Sequence, residues 1–363
     1  MKIHRVRIVN FKSIKDMDFE LNDINVLIGA NGAGKSNFIS FFKFLKQISE
    51  GSLQSYVAQK GGAESFLYFG KKKSPKLTLG IMIDSDEVFS RYLITLLPTY
   101  DDGFIFENES IKFNLTDSEP WLTKLPVVPP AKNLYESELA SWGDGRMIKG
   151  VLDTFKIYHF HDTSDTAKVK DFCEIDDNER LREDASNLAA FLYYLQNQHP
   201  YHFNRIEKTI RMVAPFFDRF NLRRSPNSPE RIRLEWREVG TDKYFNAHHL
   251  SDGTIRMICL ATLLLQPNFP ATIIIDEPEL GLHPFALNVL GGLVRSASQK
   301  TQIIISTQSV TFINNFSPKD IVVVERNNEQ SEFRRLDAGQ LDEWLEEYTL
   351  GEIWEKNIIG GRP

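Results

Sequence analysis

The chain has 363 residues, and its 43 Lys and Arg against 49 Asp and Glu give a net charge of −6. This length predicts one large or two modest domains, and a composition of 42% apolar and 25% charged residues excludes a mostly disordered chain. The net charge excludes a uniformly basic nucleic-acid binder, although it is compatible with a local basic face.

The cysteines and the apolar runs indicate where the protein works. Cys173 and Cys259 lack the spacing of a metal or redox pair, so we expect buried thiols in a reducing compartment. No apolar stretch approaches the ~18 residues needed to cross a bilayer, and the N-terminus has no signal-peptide core. We therefore expect a cytoplasmic protein that works without a membrane.

The first fifty residues predict strands, a glycine loop and a helix, in that order. Residues 3–9 and 18–28 are rich in Ile, Val, Phe and Leu and are predicted to be strands. The loop GANGAGKS follows at 29–36, and residues 37–49 carry their apolar side chains on one helical face.

The middle of the chain predicts strands first and helices later. Residues 76–83 and 103–115 are predicted strands, the second with a turn inside it, and 124–133 is a proline-rich stretch expected at the surface. Another strand is predicted over 154–160, and the pattern of 164–222 is helical.

The stretch 203–237 is locally basic, because its nine Lys and Arg face four acids. This predicts either a surface for nucleic acid or a partner, or a solvated lobe whose charge has no partner. After residue 245, strands and helices alternate, which predicts a parallel sheet with right-handed crossovers.

The glycine loop fits the phosphate-binding pattern G-x-x-x-x-G-K-[ST]. Glycines let backbone N–H groups curl around phosphate oxygens, and the following helix directs its N-terminal dipole at the same charges. Lys35 is expected to reach the outer phosphates and Ser36 to ligate Mg²⁺. The alternative is a chance match in a glycine-rich turn. The nucleotide-binding residues predicted here are Asn31, Gly32, Ala33, Gly34, Lys35, Ser36 and Asn37.

A second strand end carries two carboxylates, since the apolar run 273–275 stops at Asp276 and Glu277. If this strand neighbours the P-loop strand in a parallel sheet, Asp276 reaches the Mg²⁺. Glu277 is then placed to orient a water and accept its proton. The alternative is a strand capped by two solvated acids.

Residues 250–254, LSDGT, precede a predicted helix, and a serine in that place is commonly only an N-cap. Beside the two motifs above, however, LSDGT resembles the signature motif of the ABC ATPase superfamily. Residues 273–284 then resemble its Walker B strand and D-loop, and 303–309 resemble its switch strand.

Within that superfamily the chain resembles the RecF/SMC/OLD-like branch, whose members act on DNA or accompany nucleases. The resemblance covers 1–50 and 245–363, and the tail is similar to that of free-standing bacterial ATPases. It implies an α/β P-loop NTPase of ABC type, a mixed sheet with an N-terminal antiparallel β subdomain and an inserted helical lobe. The expected parts are 1–160, 161–245 and 246–363.

The resemblance also implies a dimer in which two protomers enclose two ATP molecules. Each ATP is held by the P-loop of one protomer and the signature of the other. Ser251 is therefore expected at the γ-phosphate of the partner's ATP, where Gly253 allows close approach. Residues 10–13, among them Lys12 and Ser13, are expected to approach the nucleotide base or phosphates. Hydrolysis then opens the dimer.

Two positions depart from the pattern of the superfamily. Its switch residue is usually histidine, whereas Gln308 stands there and is expected to sense the γ-phosphate or the attacking water. The predicted strand 154–160 leads to His161 without the Q-loop glutamine, so His161 either contacts the Mg²⁺ shell or is an ordinary loop histidine. The expected catalytic residues are Glu277, Gln308 and Lys35, and the expected metal ligands are Ser36 and Asp276.

The expected function is an ATPase that dimerises around ATP and acts with DNA, or with a nuclease or effector, in DNA repair or antiphage defence. OLD-type nucleases continue into a TOPRIM domain, for which this chain leaves no room, so a partner is expected to supply any nuclease. A transporter's nucleotide-binding subunit and a nucleotide-gated scaffold with little turnover are the alternatives.

Overall fold

The computed structural model describes residues 1–85, 88–115, 121, 135–141 and 145–362. The proline-rich stretch expected at 124–133 lies outside the described residues. The strands are, in chain order, β1 Lys2–Phe11, β2 Ile14–Glu20, β3 Ile24–Ile28, β4 Leu77–Ser85, β5 Val88–Pro98, β6 Phe104–Leu115, β7 Phe155–Tyr158, β8 Cys173–Glu174, β9 Phe217–Phe220, β10 Arg224–Ser225, β11 Ser228–Ile232, β12 Glu235–Glu238, β13 Tyr244–Asn246, β14 Thr272–Asp276, β15 Gln302–Ser306, β16 Ile321–Asn327 and β17 Gln330–Arg335. The α-helices are α1 Lys35–Ser49, α2 Leu53–Gln59, α3 Gly70–Lys73, α4 Gly145–Asp153, α5 Leu188–Gln198, α6 Pro200–Val213, α7 Asp252–Leu265, α8 Pro284–Ala297, α9 Val310–Ile313, α10 Asp342–Glu347 and α11 Leu350–Glu355.

Two sheets organise the ATPase-like part of the fold. An antiparallel sheet has the strand order β2-β1-β4-β5-β6. A six-stranded mixed sheet has the order β17-β16-β3-β15-β14-β7, in which only β17 runs antiparallel to its neighbour. The fold class predicted from the sequence, a mixed sheet with an N-terminal antiparallel β subdomain, is confirmed.

Strand periodicity explains how the six-stranded sheet is buried on both faces. Successive side chains of a strand point to opposite faces, so Ile273 and Ile275 join one apolar cluster while Ile274 joins the other. The first cluster includes α5, α6, α7 and α8, and the second holds α1 and the antiparallel sheet. Each fully buried side chain of this size contributes about 1.5–3 kcal/mol.

The helix predicted over 37–49 is confirmed as α1, and its predicted apolar face is buried between the two sheets. The strand predicted over 18–28 is wrong, because it is two strands that belong to different sheets. The Asn25 side chain explains the break, since it bonds both the N–H and the carbonyl of Asn22 and closes a turn.

The turn expected inside 103–115 is absent, because β6 is continuous through that stretch. Polar residues near Glu109 suggested a turn, yet Glu109 is buried. Its carboxylate accepts hydrogen bonds from the Tyr92 hydroxyl and from the Glu138 N–H, the latter at 3.1 Å. A buried polar residue with satisfied hydrogen bonds is compatible with a strand interior.

The acidic strand does not neighbour the P-loop strand, contrary to the sequence-based expectation. β15 lies between β3 and β14, and it pairs in parallel with both. Its Ile303, Ile304 and Ile305 are fully buried, which suits a central strand of a covered sheet. Because all three strands run parallel, their carboxyl ends still meet at one edge, where Asp276 and the P-loop lie.

The helical pattern of 164–222 holds for α5 and α6, but Phe217–Phe220 form the strand β9 and 164–187 is largely irregular. Asn187 organises that loop although it is fully buried: its amide donates to the carbonyls of Asp177 and Arg180, and its oxygen accepts the N–H of Arg182. Among the described residues, no helix combines the length and apolarity that a membrane crossing requires.

Candidate functional site

The glycine loop after β3 adopts a conformation that requires glycine at several positions. Gly29, Gly32 and Gly34 have φ of 150°, 78° and 123°, a region that side chains strongly disfavour. A Cβ on Gly29 would lie 2.2 Å from the Val324 carbonyl oxygen, and one on Gly34 would lie 2.1 Å from the Ser331 hydroxyl. The loop is therefore seated tightly on the β16–β17 hairpin and opens onto the N-terminus of α1.

Lys35 begins α1 and is only 6% exposed. Its ammonium donates to the carbonyl oxygens of Gly29 and Ala30, the second at 3.1 Å. Burial lowers the pKa of Lys35, and the nearby carboxylates, Glu277 foremost, act in the opposite direction. The lysine thus lies inside the glycine loop, within electrostatic reach of the acidic strand end.

Lys12 and Ser13 lie beside α1, in the turn between β1 and β2. The Lys12 ammonium donates to the Ser40 hydroxyl at 2.8 Å, and the Asn37 amide donates to Ser13 Oγ at 2.7 Å. Lys12, Ser13 and Asn37 line a cavity of about 440 Å³, which is closed on another side by Arg326. Asn37 directly follows the glycine loop in the chain, and the cavity lining is mixed, since it also includes Leu67 and Phe69.

Ser36 and Asp276 line one cavity of about 340 Å³, together with Lys43. A hydroxyl and a carboxylate are oxygen ligands, which Mg²⁺ prefers, and Mg²⁺ in such sites takes its remaining ligands from water and substrate phosphates. In the part of the chain that the structure describes, no group of three or more His, Cys, Asp or Glu could hold a metal. The residues therefore fit Mg²⁺ brought in with a nucleotide, and they do not fit a self-sufficient metal centre.

Glu277 leaves the strand end in an unusual conformation, with φ of 45°. Such a value for a non-glycine residue is strained and often marks a functional position. Its N–H donates to the Ser306 carbonyl at 2.8 Å, and its Oε1 accepts a 2.5 Å hydrogen bond from Gln308 Nε2. The structure therefore brings together two of the residues predicted to be catalytic.

Glu279 belongs to the same site, although no sequence signal singled it out. Its Oε1 accepts the backbone N–H of Gln308 at 2.8 Å. Its Oε2 is buried without a hydrogen-bond partner among the described residues. Burial raises the pKa of the Glu279 carboxyl, and hydrogen bonding to the carboxylate, including that from the Gln308 N–H, only partly offsets this effect.

The signature-like residues lie at the N-terminus of α7. Ser251 is exposed and caps this helix, because its hydroxyl accepts the Thr254 N–H at 3.2 Å. A Cβ on Gly253 would lie 2.3 Å from the Gly281 carbonyl oxygen. The loop that follows Glu277 is therefore packed directly on the start of α7.

His161 is held at the acidic strand end by its ring. His161 Nε2 lies 2.8 Å from the Asp276 carbonyl oxygen, which only accepts, so Nε2 carries the hydrogen. Because a protonated ring nitrogen cannot ligate a metal, Nδ1 is the nitrogen left for the expected contact with the Mg²⁺ shell.

Arg256 is a second residue that sequence reasoning missed. It is 6% exposed on α7, and its guanidinium donates to the carbonyls of Phe160, His161 and Leu280. Two segments that are distant in sequence, 160–161 and the loop with Leu280, are thus tied to the helix that begins at the signature. A buried arginine facing only carbonyls leaves no spacing pattern in the sequence.

The basic stretch 203–237 is partly neutralised within the chain. Arg223 and Arg233 both pair with the buried Glu235, at 2.9 and 3.0 Å. Arg233 also stacks over the ring of Phe172 at 5.0 Å, and Arg237 pairs with Asp242. The free positive charge is therefore smaller than the sequence count indicates.

Solved SMC heads share this fold over almost the whole chain. An SmcHead bound to the C-winged helix domain of ScpA has a TM-score of 0.62 at 17% identity and covers 94% of this chain and 100% of its own. An Smc head with an extended coiled coil, bound to the C-terminal domain of ScpA derived from Pyrococcus furiosus, reaches 0.57 at 16% identity, covering 95% and 99%. The SMC head domain from Thermotoga maritima reaches 0.50 at 12% identity, covering 93% and 100%.

The fold and the site define a P-loop ATPase domain of the ABC/SMC-head class, which confirms the superfamily that the sequence resembles. More particularly, the chain belongs to the family described as "AAA domain, putative AbiEii toxin, Type IV TA system", whose model matches residues 24–314. A search of curated protein sequences found no significant match.

Proposed function

We propose that the protein binds ATP with Mg²⁺, hydrolyses it to ADP and phosphate, and dimerises around the bound ATP. The observation that carries this proposal is the hydrogen bond between Gln308 and Glu277, at the sheet edge where Lys35, Ser36 and Asp276 also lie. A carboxylate held by an amide next to a phosphate-binding loop is suited to act as a general base.

Each residue has a definite task in this reaction. The loop N–H groups and Lys35 would hold the phosphates, and Ser36 and Asp276 would hold Mg²⁺, which would supply positive charge to the phosphate oxygens. Glu277 takes a proton from the attacking water while the oxygen of that water bonds to the γ-phosphorus. The bond from that phosphorus to the bridging oxygen breaks, and ADP leaves with that oxygen. Gln308 keeps the Glu277 carboxylate directed at the water.

The proposed dimer uses the exposed start of α7. Ser251 and the N-terminal dipole of α7 would meet the γ-phosphate of the partner's ATP. Gly253 leaves the backbone of this turn bare, so that the phosphate can approach closely. ATP then acts as the ligand that joins the two protomers, and hydrolysis separates them.

The proposed role is that of a cytoplasmic ATPase clamp that works with an effector or nuclease, with DNA as a second partner, in DNA repair or antiphage defence. The toxin named in the family description supports an effector function, and the ScpA-bound heads show a protein partner on this fold in other proteins. Lys208 and Arg224 of 203–237 are exposed and have no ion pair among the described residues, which supports a face for DNA.

The ATPase proposal is tested by Glu277→Gln, with phosphate release measured at saturating ATP. We expect turnover to fall about 100-fold, as is typical when a general base is lost, while ATP binding and the ATP-dependent dimer persist. Glu343→Gln is the control, because Glu343 is an exposed acid on α10. Wild-type turnover in Glu277→Gln would remove Glu277 from the role of base.

The partner proposal is tested with the same variant, which holds ATP and stays dimeric. Material bound to Glu277→Gln is isolated in the presence of ATP, and its protein and nucleic acid are identified. Recovery of a soluble effector or of DNA supports the proposed role. Recovery of a membrane permease alone would contradict it and favour the transporter alternative.

A further inference from the structure

Glu279 is a carboxylate next to the proposed catalytic residues, inside the stretch 273–284 that resembles the Walker B strand and D-loop, but the sequence motifs assign it no role. It lies two positions after Glu277, and the two acids enclose Pro278 at the carboxyl end of β14. Its Oε1 points across to the end of β15, where it accepts the Gln308 N–H at 2.8 Å. Glu279 therefore joins the loop after β14 to the loop after β15.

The same loop after β15 is fixed to the P-loop strand. The Thr307 N–H donates to the Leu27 carbonyl of β3 at 3.0 Å, and the Thr307 hydroxyl accepts the Ser309 N–H at 3.0 Å. Residues 307 and 308 are thus held from β3 on one side and from Glu279 on the other. This double attachment leaves the Gln308 backbone little freedom.

Gln308, which is restrained in this way, in turn restrains the Glu277 side chain. Its backbone is held by Glu279 and its side-chain amide donates to Glu277 Oε1, so two hydrogen bonds run in series from one carboxylate to the other. Glu277 leaves the strand in a strained conformation with φ of 45°, which persists only when its surroundings hold it. The contact with Gln308 is part of that support.

The environment of Glu279 indicates a role beyond filling space. Its Oε2 is buried and lacks a hydrogen-bond partner among the described residues. A buried polar atom without a partner costs free energy, and such atoms in native structures often mark functional positions. A simple packing role would be served as well by an apolar side chain of the same size.

We propose that Glu279 is a positioning residue for ATP hydrolysis, which holds Gln308 so that its amide orients the base Glu277. This inference rests on the proposed ATPase function. Glu279 touches neither the water nor the phosphate in this role. It acts through Gln308, so its loss lowers the rate of the chemical step and leaves the affinity for ATP nearly unchanged.

The test compares Glu279→Ala with Glu279→Gln in phosphate release and in ATP binding. We expect Glu279→Ala to lower kcat about 10-fold or more, with ATP affinity within about 3-fold of wild type. Glu279→Gln keeps an oxygen that accepts the Gln308 N–H, so we expect it to retain most of kcat. Glu207→Ala is the matched control, since Glu207 is likewise buried and accepts a distant backbone N–H, that of Phe220, at 2.8 Å.

Hydrogen exchange of the segment 303–312 gives a readout that does not need turnover. We expect faster exchange in Glu279→Ala and wild-type exchange in Glu279→Gln, both with thermal melting checked. If the wild type is active and Glu279→Ala is equally active, the proposed role of Glu279 is wrong. It is also wrong if Glu279→Gln loses as much kcat as Glu279→Ala does. If the wild type hydrolyses ATP no faster than Glu277→Gln, the proposed ATPase function itself is wrong, and so is the role of Glu279.

Discussion

Gln308 is a neutral side chain at a position where related ATPases usually carry histidine. Its amide donates to Glu277 and its backbone is held by Glu279, so both of its polar ends face carboxylates. A histidine there would change charge near neutral pH, whereas an amide has no titration. We infer that this site orients its base by hydrogen bonding alone and keeps that arrangement at every physiological pH.

Gln308→Ala removes the hydrogen bond to Glu277 while leaving the backbone contact with Glu279. We expect kcat to fall about 10-fold, because the base is no longer oriented, and we expect the ATP-dependent dimer to weaken. Phosphate release and sedimentation with ATP measure the two effects. A variant that is normal in both would show that Gln308 only closes a strand.

At the level of single residues, the sequence points to candidates where a motif is local. The glycine loop, Lys35, Ser36, Asp276 and Glu277 lie in two short runs whose spacing follows from phosphate chemistry. Glu279 and Arg256 could not be predicted in this way. Their partners are backbone N–H and carbonyl groups of distant segments, and any residue type can supply such groups.

Among the elements, the start of α7 is distinctive because an acid stands where a phosphate is proposed to bind. Asp252 is 66% exposed, and its carboxylate lies 3.8 Å from the ammonium of Lys170, whose side chain is only 5% exposed. The lysine comes from the short helical turn Lys168–Lys170 of the inserted segment. It offsets a negative charge that would otherwise repel the partner's γ-phosphate.

Lys170→Met should therefore weaken ATP-dependent dimerisation, and Asp252→Asn in the same chain should restore it. We expect the ATP concentration at half-dimerisation to rise about 2- to 5-fold in the single variant, which is the scale of one ion pair. The measurement is sedimentation in the Glu277→Gln background. Lys168→Met is the control, since Lys168 is 78% exposed and pairs with Asp184 at the same 3.8 Å. If the effects of Lys170→Met and Asp252→Asn on dimerisation are additive, the two side chains are not coupled.

The secondary-structure elements show where periodicity is informative and where it is not. The runs that became α1, β14 and β15 have an unbroken apolar pattern and were predicted at their observed places. β5 was not predicted, because the buried Arg91 interrupts its apolar run. The stretch 164–187 was predicted to be helical, but it is largely a loop. Side-chain hydrogen bonds such as those of Asn187 hold this loop, and they leave no periodic signal in the sequence.

At the scale of the whole molecule, a central sheet is enclosed by α1 and the antiparallel sheet on one side and by helices on the other. The three proposed chain parts, with boundaries at 160/161 and 245/246, remain a prediction. The P-loop and the start of α7 are both at the surface, and Ser251 is exposed. This arrangement supports a dimer in which each start of α7 faces the other protomer.

Ser251→Arg should abolish the ATP-dependent dimer and leave ATP binding by the monomer intact. The new side chain fills the space proposed for the partner's phosphate, and the lost cap costs only about 1 kcal/mol. Light scattering with and without ATP measures the mass. Thr349→Arg is the control, because Thr349 is likewise the N-cap of a surface helix, α11. A dimer that persists in Ser251→Arg would exclude this face from the interface.

Because Gly253 lies against Gly281, a substitution at this one position is expected to affect ATP hydrolysis at two active sites. In the proposed dimer, Gly253 faces the ATP of the neighbouring protomer. A Cβ added there would instead press on the Gly281 carbonyl, 2.3 Å away, in the loop that carries Glu279 of its own protomer. In a dimer of one wild-type protomer and one Gly253→Ala protomer, both active sites would then be affected. Its rate of ATP hydrolysis would fall well below half of the wild-type rate.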